Sequence, residues 1–324
     1  MFVITHKKIF LLIAAFVVVA SITIVGTLGL KLGIDFAGGS LTEVAYETAP
    51  DKTTVDAVVE SFNLGGASVR ASNDEAGRDA FLIRTRDLSE EERSSLSGAL
   101  TSIGEGAEIT RFTSVGPVIG QELRDKAVWA IAGVATIIIL YVAFAFAGIG
   151  IPVSSWMYGL VTIVVLMHDV LVPTALMSIL GYTLGLEIDV LFVMALLAVL
   201  GYSVNDTIVV FDRVRENLMK NRTEKRIKRT EPGGIVNEEV TYTLTAPYDE
   251  IVGSAVKDTL ARSINTSVTT MAALVALYFF GGEVTQTFAL VLITGVLAGA
   301  YSSICIASPL VVAYSQWKAK KSKS

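Results

Sequence analysis

Six apolar runs dominate this chain and restrict its fold class before any motif is considered. They cover approximately Ile9–Leu30, Ala127–Ala147, Pro152–Leu180, Val190–Phe211, Ser263–Phe280 and Thr287–Tyr314. A hydrocarbon core about 30 Å thick needs roughly 20 apolar residues of helix to cross it. Backbone amides in lipid must be satisfied within the segment, and a helix does this. Composition agrees: 52% of the 324 residues are hydrophobic and the mean hydropathy is +0.60, against roughly 45–50% apolar residues in soluble domains. The 18% that are charged lie almost wholly between the runs. We therefore expect an α-helical integral membrane protein.

The first run follows His6, Lys7 and Lys8 as a signal peptide would. It is too long for a cleavable leader, and no small-x-small cleavage site follows it, so it is expected to persist as the first span. Sidedness follows the lysine and arginine bias of the short loops. Arg213–Arg229 holds eight Lys/Arg, the tail holds Lys318, Lys320, Lys321 and Lys323, and the N-terminus holds Lys7 and Lys8. An even number of spans puts all three on one side, expected to be the cytoplasm. The almost uncharged loops near 148–151 and 281–286 do not contradict this.

The net charge of −5 comes with no basic stripe and no interleaved aromatics, so nucleic acid is not an expected partner. The single cysteine, Cys305, and two histidines give no disulfide framework. They also leave no expected metal site or cofactor.

Four segments result: 1–30, the N-terminus and first span; 31–126, an outer domain; 127–316, a five-span bundle with a cytoplasmic loop at 212–257; and 317–324, a basic tail. Lys31–Lys126 carries ten Lys/Arg and seventeen Asp/Glu, a net of −7. Leu41–Glu47 alternates like a strand, and Val55, Val58, Val59 and Phe62 recur at helical spacing. Ala67–Ala71 and Ala80–Arg86 read as two strands. Ser89 with Glu92 forms a capping box ahead of Leu96, Leu100 and Ile103. Glu108–Ser114 reads as a last strand. The order βαββαβ is that of a small ferredoxin-like α+β domain. In the loop 217–254, Glu231-Pro232-Gly233-Gly234 marks a turn and Glu238–Thr245 is β-like, which leaves a hairpin and an irregular loop both open.

Four ionisable residues fall at membrane depth: His168, Asp169, Asp206 and Arg262. A charge there costs ~2.5–3.5 kcal/mol on insertion scales, so such residues usually mark ion or proton pathways. Tyr202, Ser203 and Asp206 share a helix face, with Asn205 beside it. Arg262, Thr266, Thr269 and Thr270 share another, flanked by Asn265. We expect both faces to turn toward the bundle interior and to meet there. A low-dielectric setting favours the protonated carboxyl, and a nearby arginine favours the carboxylate. If the Asp206–Arg262 separation changes between two conformations, Asp206 takes up a proton in one and releases it in the other. Arg262 stays charged and acts as the gate. The alternative is a static buried pair that fixes helix register. For Asp169 it is a protonated, hydrogen-bonded side chain, and for His168 it is local packing. Asp212, Arg213, Arg215 and Glu216 read as interfacial anchors, and Gly295-x-x-x-Gly299 as a close helix contact.

The stretch Gly201–Asn217, GYSVNDTIVVFDRVREN, closely resembles the signature of the SecF family of bacterial protein-export membrane subunits. Gly33-Ile34-Asp35-Phe36-Ala37-Gly38-Gly39-Ser40 resembles its GIDF-x-GG element, and Arg262-Ser263-Ile264-Asn265-Thr266-Ser267 its arginine-bearing element. The resemblance implies a six-span half-transporter of the resistance-nodulation-division type in the inner membrane, with both termini cytoplasmic. It implies SecD as the pairing subunit, the SecYEG translocon and unfolded preprotein as partners, and the proton-motive force as the energy source. The family's proton-pathway aspartate falls on Asp206 and its arginine on Arg262, and His168-Asp169 fits its third-span pattern. The loop between the fourth and fifth spans is some twenty residues longer than expected for the family. For Gly33, Asp35, Phe36, Gly38 and Gly39 we expect a structural role, passing helix movement to the outer domain. Three other readings compete: a proton-driven exporter of lipid or small hydrophobic molecules, an intramembrane aspartyl protease using Asp169 and Asp206, and a purely structural subunit. The protease reading lacks the Gly-x-Gly-Asp context, because Val204 and Asn205 precede Asp206.

Overall fold

The computed structural model describes residues 2–74, 76–146, 152–230 and 236–321. The expected turn at 231–234, Lys323 and the loop at 148–151 lie outside them. A short helix α1 (Phe2–Thr5) precedes α2 (Lys7–Leu28), and a single turn α3 (Ile34–Ala37) leads into the sheet domain. That domain runs β1 (Gly39–Ala45), α4 (Lys52–Ser61), β2 (Ser68–Asn73), β3 (Asp79–Thr85), α5 (Glu90–Thr101) and β4 (Glu108–Val115). The strand order is β2-β3-β1-β4, all antiparallel, which is the ferredoxin-like arrangement. One sheet face buries Val44, Tyr46, Phe81 and Ile83 against Val55 and Val59 of α4 and Leu96 and Leu100 of α5. The capping box forms: Ser89 accepts from the Glu92 amide and the Glu92 side chain accepts from the Ser89 amide.

The remaining long helices are α6 (Pro117–Ala145), α7 (Ser155–Leu184) and α8 (Val190–Lys220). After a hairpin of β5 (Arg222–Thr230) and β6 (Val236–Leu244) come α9 (Tyr248–Phe280) and α10 (Glu283–Ser302). A π-helical turn, Ser303–Ala307, joins α10 to α11 (Ser308–Lys321). Six helices are long and apolar enough to cross a membrane. Their bounds exceed the apolar runs where polar turns extend a helix beyond lipid depth. Thus α6 starts at Pro117, with proline at its first turn where no amide partner is needed, ten residues inside the expected outer stretch. Likewise α9 starts at Tyr248 after Pro247, fifteen residues before the apolar run. The expected loop at 212–257 is therefore largely the end of α8, a hairpin and the start of α9.

The bundle has a centre and a rim. In α7, α8 and the last span, 44%, 44% and 50% of the apolar window is buried, against 11%, 6% and 6% for α2, α6 and α9. The central three therefore carry the interior, and the rim helices present broad apolar surface outward. Chain connectivity puts the sheet domain and the α7–α8 loop at one end of the bundle. The hairpin and both termini lie at the other.

A strap ties the sheet domain to that loop. Leu32 bridges Ile188, and Gly33 N–H donates to Ile188 O at 2.8 Å. Arg84 of β3 donates to Leu32 O at 2.9 Å and forms an ion pair with Glu187. Asp35 accepts from Val190 N–H at 3.1 Å, so it engages the first turn of α8 beside the N-cap Asp189. Burial pushes the Asp189 carboxyl above the usual carboxylate range, and the Asp35 charge pushes the same way. Phe36 is buried against α8 residues Phe192 and Leu196. Gly38 and Gly39 sit at φ of +75° and +124°, where a Cβ on Gly39 would stand 2.5 Å from Thr85 O. Only glycine relieves both constraints at that position.

Candidate proton pathway

Asp169 and Asp206 are each held by hydroxyl groups. Asp169, fully buried near the middle of α7, accepts from Ser203 of α8 and from Ser302 of α10, the latter at 2.7 Å. Its other oxygen lies 2.8 Å from Nδ1 of His168, whose ring stands beside Tyr301. Asp206, part-buried on α8, accepts from Ser263 of α9 and from Ser303 of the π turn, both at 2.6 Å. No hydrogen bond joins the two carboxylates, and Asp206 has no lysine or arginine partner among the described residues.

Glycines on the last span bring these groups together. Gly295, Gly299 and Ser303 recur every four residues and so share one face. A Cβ on Gly295 would stand 2.2 Å from Val199, and one on Gly299 would stand 3.2 Å from Ser203. The same face one turn further on carries Ser303 to Asp206. The expected close contact at Gly295-x-x-x-Gly299 is thus the contact of α10 with α8. Tyr202 Oη, Thr207 Oγ1 and Ser308 Oγ are also buried and have no hydrogen-bond partner among the described residues. Polar atoms of this kind in a protein interior are ordinarily satisfied by water.

The fifth span departs from expectation. Arg262, Asn265, Thr266 and Thr269 are exposed on the outer surface of α9 instead of facing Asp206. Thr266 donates to Arg262 O and Thr269 to Asn265 O, bonds internal to the helix. Ser263, one residue from Arg262 and therefore about 100° around the helix, is the group that turns inward. Asn205 is exposed as well. At the hairpin end, Arg213 pairs with Glu216 and Asp258, tying α8 to α9. Sequence reasoning missed Ser263, Ser302 and Ser303. The signal for the last was the serine doublet placed four residues after Gly299 in an otherwise apolar run.

The family profile described as "Protein export membrane protein SecD/SecF, C-terminal" matches residues 96–233 and 234–317. The "SecD/SecF GG Motif" profile matches residues 23–50, which include Gly38 and Gly39. The protein translocase subunit SecF of Thermobaculum terrenum is 35% identical over 320 residues, covering 96% of this chain and 93% of that protein. The protein translocase subunit SecDF of Thermus thermophilus is 33% identical over 296 residues, 90% of this chain and 35% of that longer protein. A crystal structure of SecDF, a translocon-associated membrane protein from the same organism, matches with a TM-score of 0.79 at 30% identity. The match covers 97% of this chain and 38% of that one. A polytopic helix bundle, a ferredoxin-like domain anchored by a double-glycine element and two intramembrane aspartates thus occur together in a chain matched along nearly its full length, and the chain belongs to the SecF family, non-enzymatic membrane subunits of the Sec protein-export machinery.

Proposed function

We propose that this chain is the proton-responsive half of a two-subunit motor that draws preproteins across the membrane. Asp206 is the proton carrier and Asp169 a second station. The carrying observation is Asp206 itself, a carboxylate at membrane depth bound by two hydroxyls with no counter-charge among the described residues. Hydroxyls can donate or accept, so such a site suits either the charged or the protonated carboxyl. An ion pair would favour the charged form alone.

The exposed face of α9 supports a partner. Arginine, asparagine and threonines facing lipid would cost several kcal/mol, so a second bundle is expected to cover Arg262, Asn265, Thr266 and Thr269. The matched SecDF chain is more than twice as long, and SecD is the natural second half, giving twelve spans. Arg262 then gates the proton path from the seam between the halves. A SecDF crystal structure in a super-membrane-facing form matches with a TM-score of 0.62 over 98% of this chain. The lower score at equal coverage fits a region that takes more than one arrangement. The basic N-terminus, hairpin strand and tail support a cytoplasmic position for that end. The sheet domain then lies outside the inner membrane, where preprotein leaves SecYEG. Each proton that crosses contributes ~2.3 kcal/mol per 100 mV, enough for a few to drive a domain motion.

The test is preprotein export into vesicles carrying the chain and SecD, with and without a proton gradient. Asp206→Asn is expected to remove the gradient-dependent component while assembly with SecD persists. Unchanged gradient dependence would overturn the reading.

A further inference from the structure

Ser302 and Ser303 are adjacent in sequence yet serve two different aspartates. Ser302 donates to Asp169 on α7 and Ser303 to Asp206 on α8. Consecutive helical side chains diverge by about 100°, which suits acceptors on two separate helices. Both serines are fully buried. They stand where α10 gives way to the π-helical turn Ser303–Ala307. Single π turns are rare and cluster at functional sites, because the extra residue weakens the local backbone ladder.

Each serine also has a second acceptor on its own helix. Ser302 Oγ lies 3.2 Å from Gly299 O and Ser303 Oγ lies 3.3 Å from Ala300 O. A hydroxyl carries one proton, so it can give it fully to only one of the two. With the aspartate ionised, the carboxylate is the better acceptor. With the aspartate protonated, the carboxyl O–H donates to the serine oxygen, and the serine hydrogen turns to the carbonyl three residues back. Serine-to-carbonyl bonds of that kind compete with the helix ladder and bend helices. In this exchange one proton is gained by the carboxyl and none is lost by the serine.

We propose that Ser302 and Ser303 are positioning residues that report the protonation of Asp169 and Asp206 to the π turn of the last span. The proposal deepens the motor reading and requires that Asp206 binds protons. Two aspartates on different helices are thereby read at a single point, the π turn of the last span. Other titratable groups on the surrounding elements are His168 on α7, Tyr202 on α8, Tyr301 and Cys305 on the last span, and Arg262 beside Ser263 on α9.

The test uses the full chain with SecD in lipid vesicles. Amide hydrogen exchange across residues 299–307 is compared at acidic and neutral pH, after correction for intrinsic rates. Wild type is expected to show a protonation-dependent change there. The double variant Ser302→Ala/Ser303→Ala is expected to lose it, together with ~10-fold of gradient-dependent export, the size of one hydrogen bond to a charged group. Ser303→Thr, which keeps a hydroxyl, restores part of both. His168→Gln, run alongside, keeps the response if the carboxyls are its source. An unchanged response in a folded, SecD-bound double-alanine variant overturns the proposal. If Asp206→Asn leaves gradient-dependent export intact, the motor reading itself has failed. If Asp206→Asn abolishes export while the double-alanine variant keeps its response, only the serine inference has failed.

Discussion

The sheet domain and the membrane bundle treat their carboxylates in opposite ways. In the sheet domain, Glu92 is fixed by a two-pronged contact with Arg86, and Asp74 by Arg78. Arg86, with the Ser89 amide, holds the Glu92 carboxyl down to about 2. These groups keep one charge across the ordinary pH range and serve as fasteners. Inside the bundle, among the described residues, Asp206 is met by serines, and Asp169 by serines and a histidine. A guanidinium favours one protonation state strongly; a hydroxyl accommodates both. The contrast teaches that the partner of a carboxylate, more than its depth, decides whether it is a fastener or a switch.

The comparison breaks most visibly at Asp206. Asp206→Asn keeps size and hydrogen bonding and removes the charge change, so gradient-driven export should fall to background in the vesicle assay. Asp169→Ala removes the second station and should act on stability as well as on gradient-driven export. It leaves Ser203 and His168 without their buried partner, at a cost of about 1–3 kcal/mol for each such group, visible as a lower thermal midpoint in detergent. A midpoint unchanged within error would show that water replaces the carboxylate there. At the strap between the two regions, Gly39→Ala meets both a positive φ and the Thr85 carbonyl. A loss of ~3 kcal/mol is expected, read as faster hydrogen exchange in β1 and β3. Ser89→Ala removes the cap of α5 and should cost ~1 kcal/mol, seen as faster exchange confined to that helix.

The smallest effect sharpens the fastener half. The folded pKa of Glu92 lies below its unfolded value, so its stabilisation is present above the unfolded value of about 4.5 and is lost as pH falls toward 2. Glu92→Gln should therefore lose this small contribution at neutral pH and flatten the acid limb of the α5 exchange profile, so that variant and wild type converge as pH falls toward 2. An acid limb identical to wild type would show that Arg86 does not hold this carboxylate in solution.

Much of this was legible in the sequence because it depends on local pattern. Apolar length set six spans, two-residue and 3.6-residue periodicity set βαββαβ, and Ser89 with Glu92 announced a helix start. The motif around Asp206 singled out one carboxylate, since a charge inside a span has few uses. Helix bounds were less legible, because the polar turns that continue α6, α8 and α9 beyond lipid depth carry no apolar signal.

What the sequence alone determined, then, was the membrane class, the count of spans, the sheet domain and the identity of the intramembrane aspartates. What only the tertiary structure decided was who meets them. Helical spacing places Arg262 on one face of α9 and Ser263 on the next, but it cannot say which face turns inward. That choice depends on how α9 packs against α8 and the last span, which is a long-range property. Packing turned Ser263 toward Asp206 and left Arg262 on the surface. The π turn is of the same kind: no local pattern announces it, and it stands where a serine doublet becomes the partner of two aspartates.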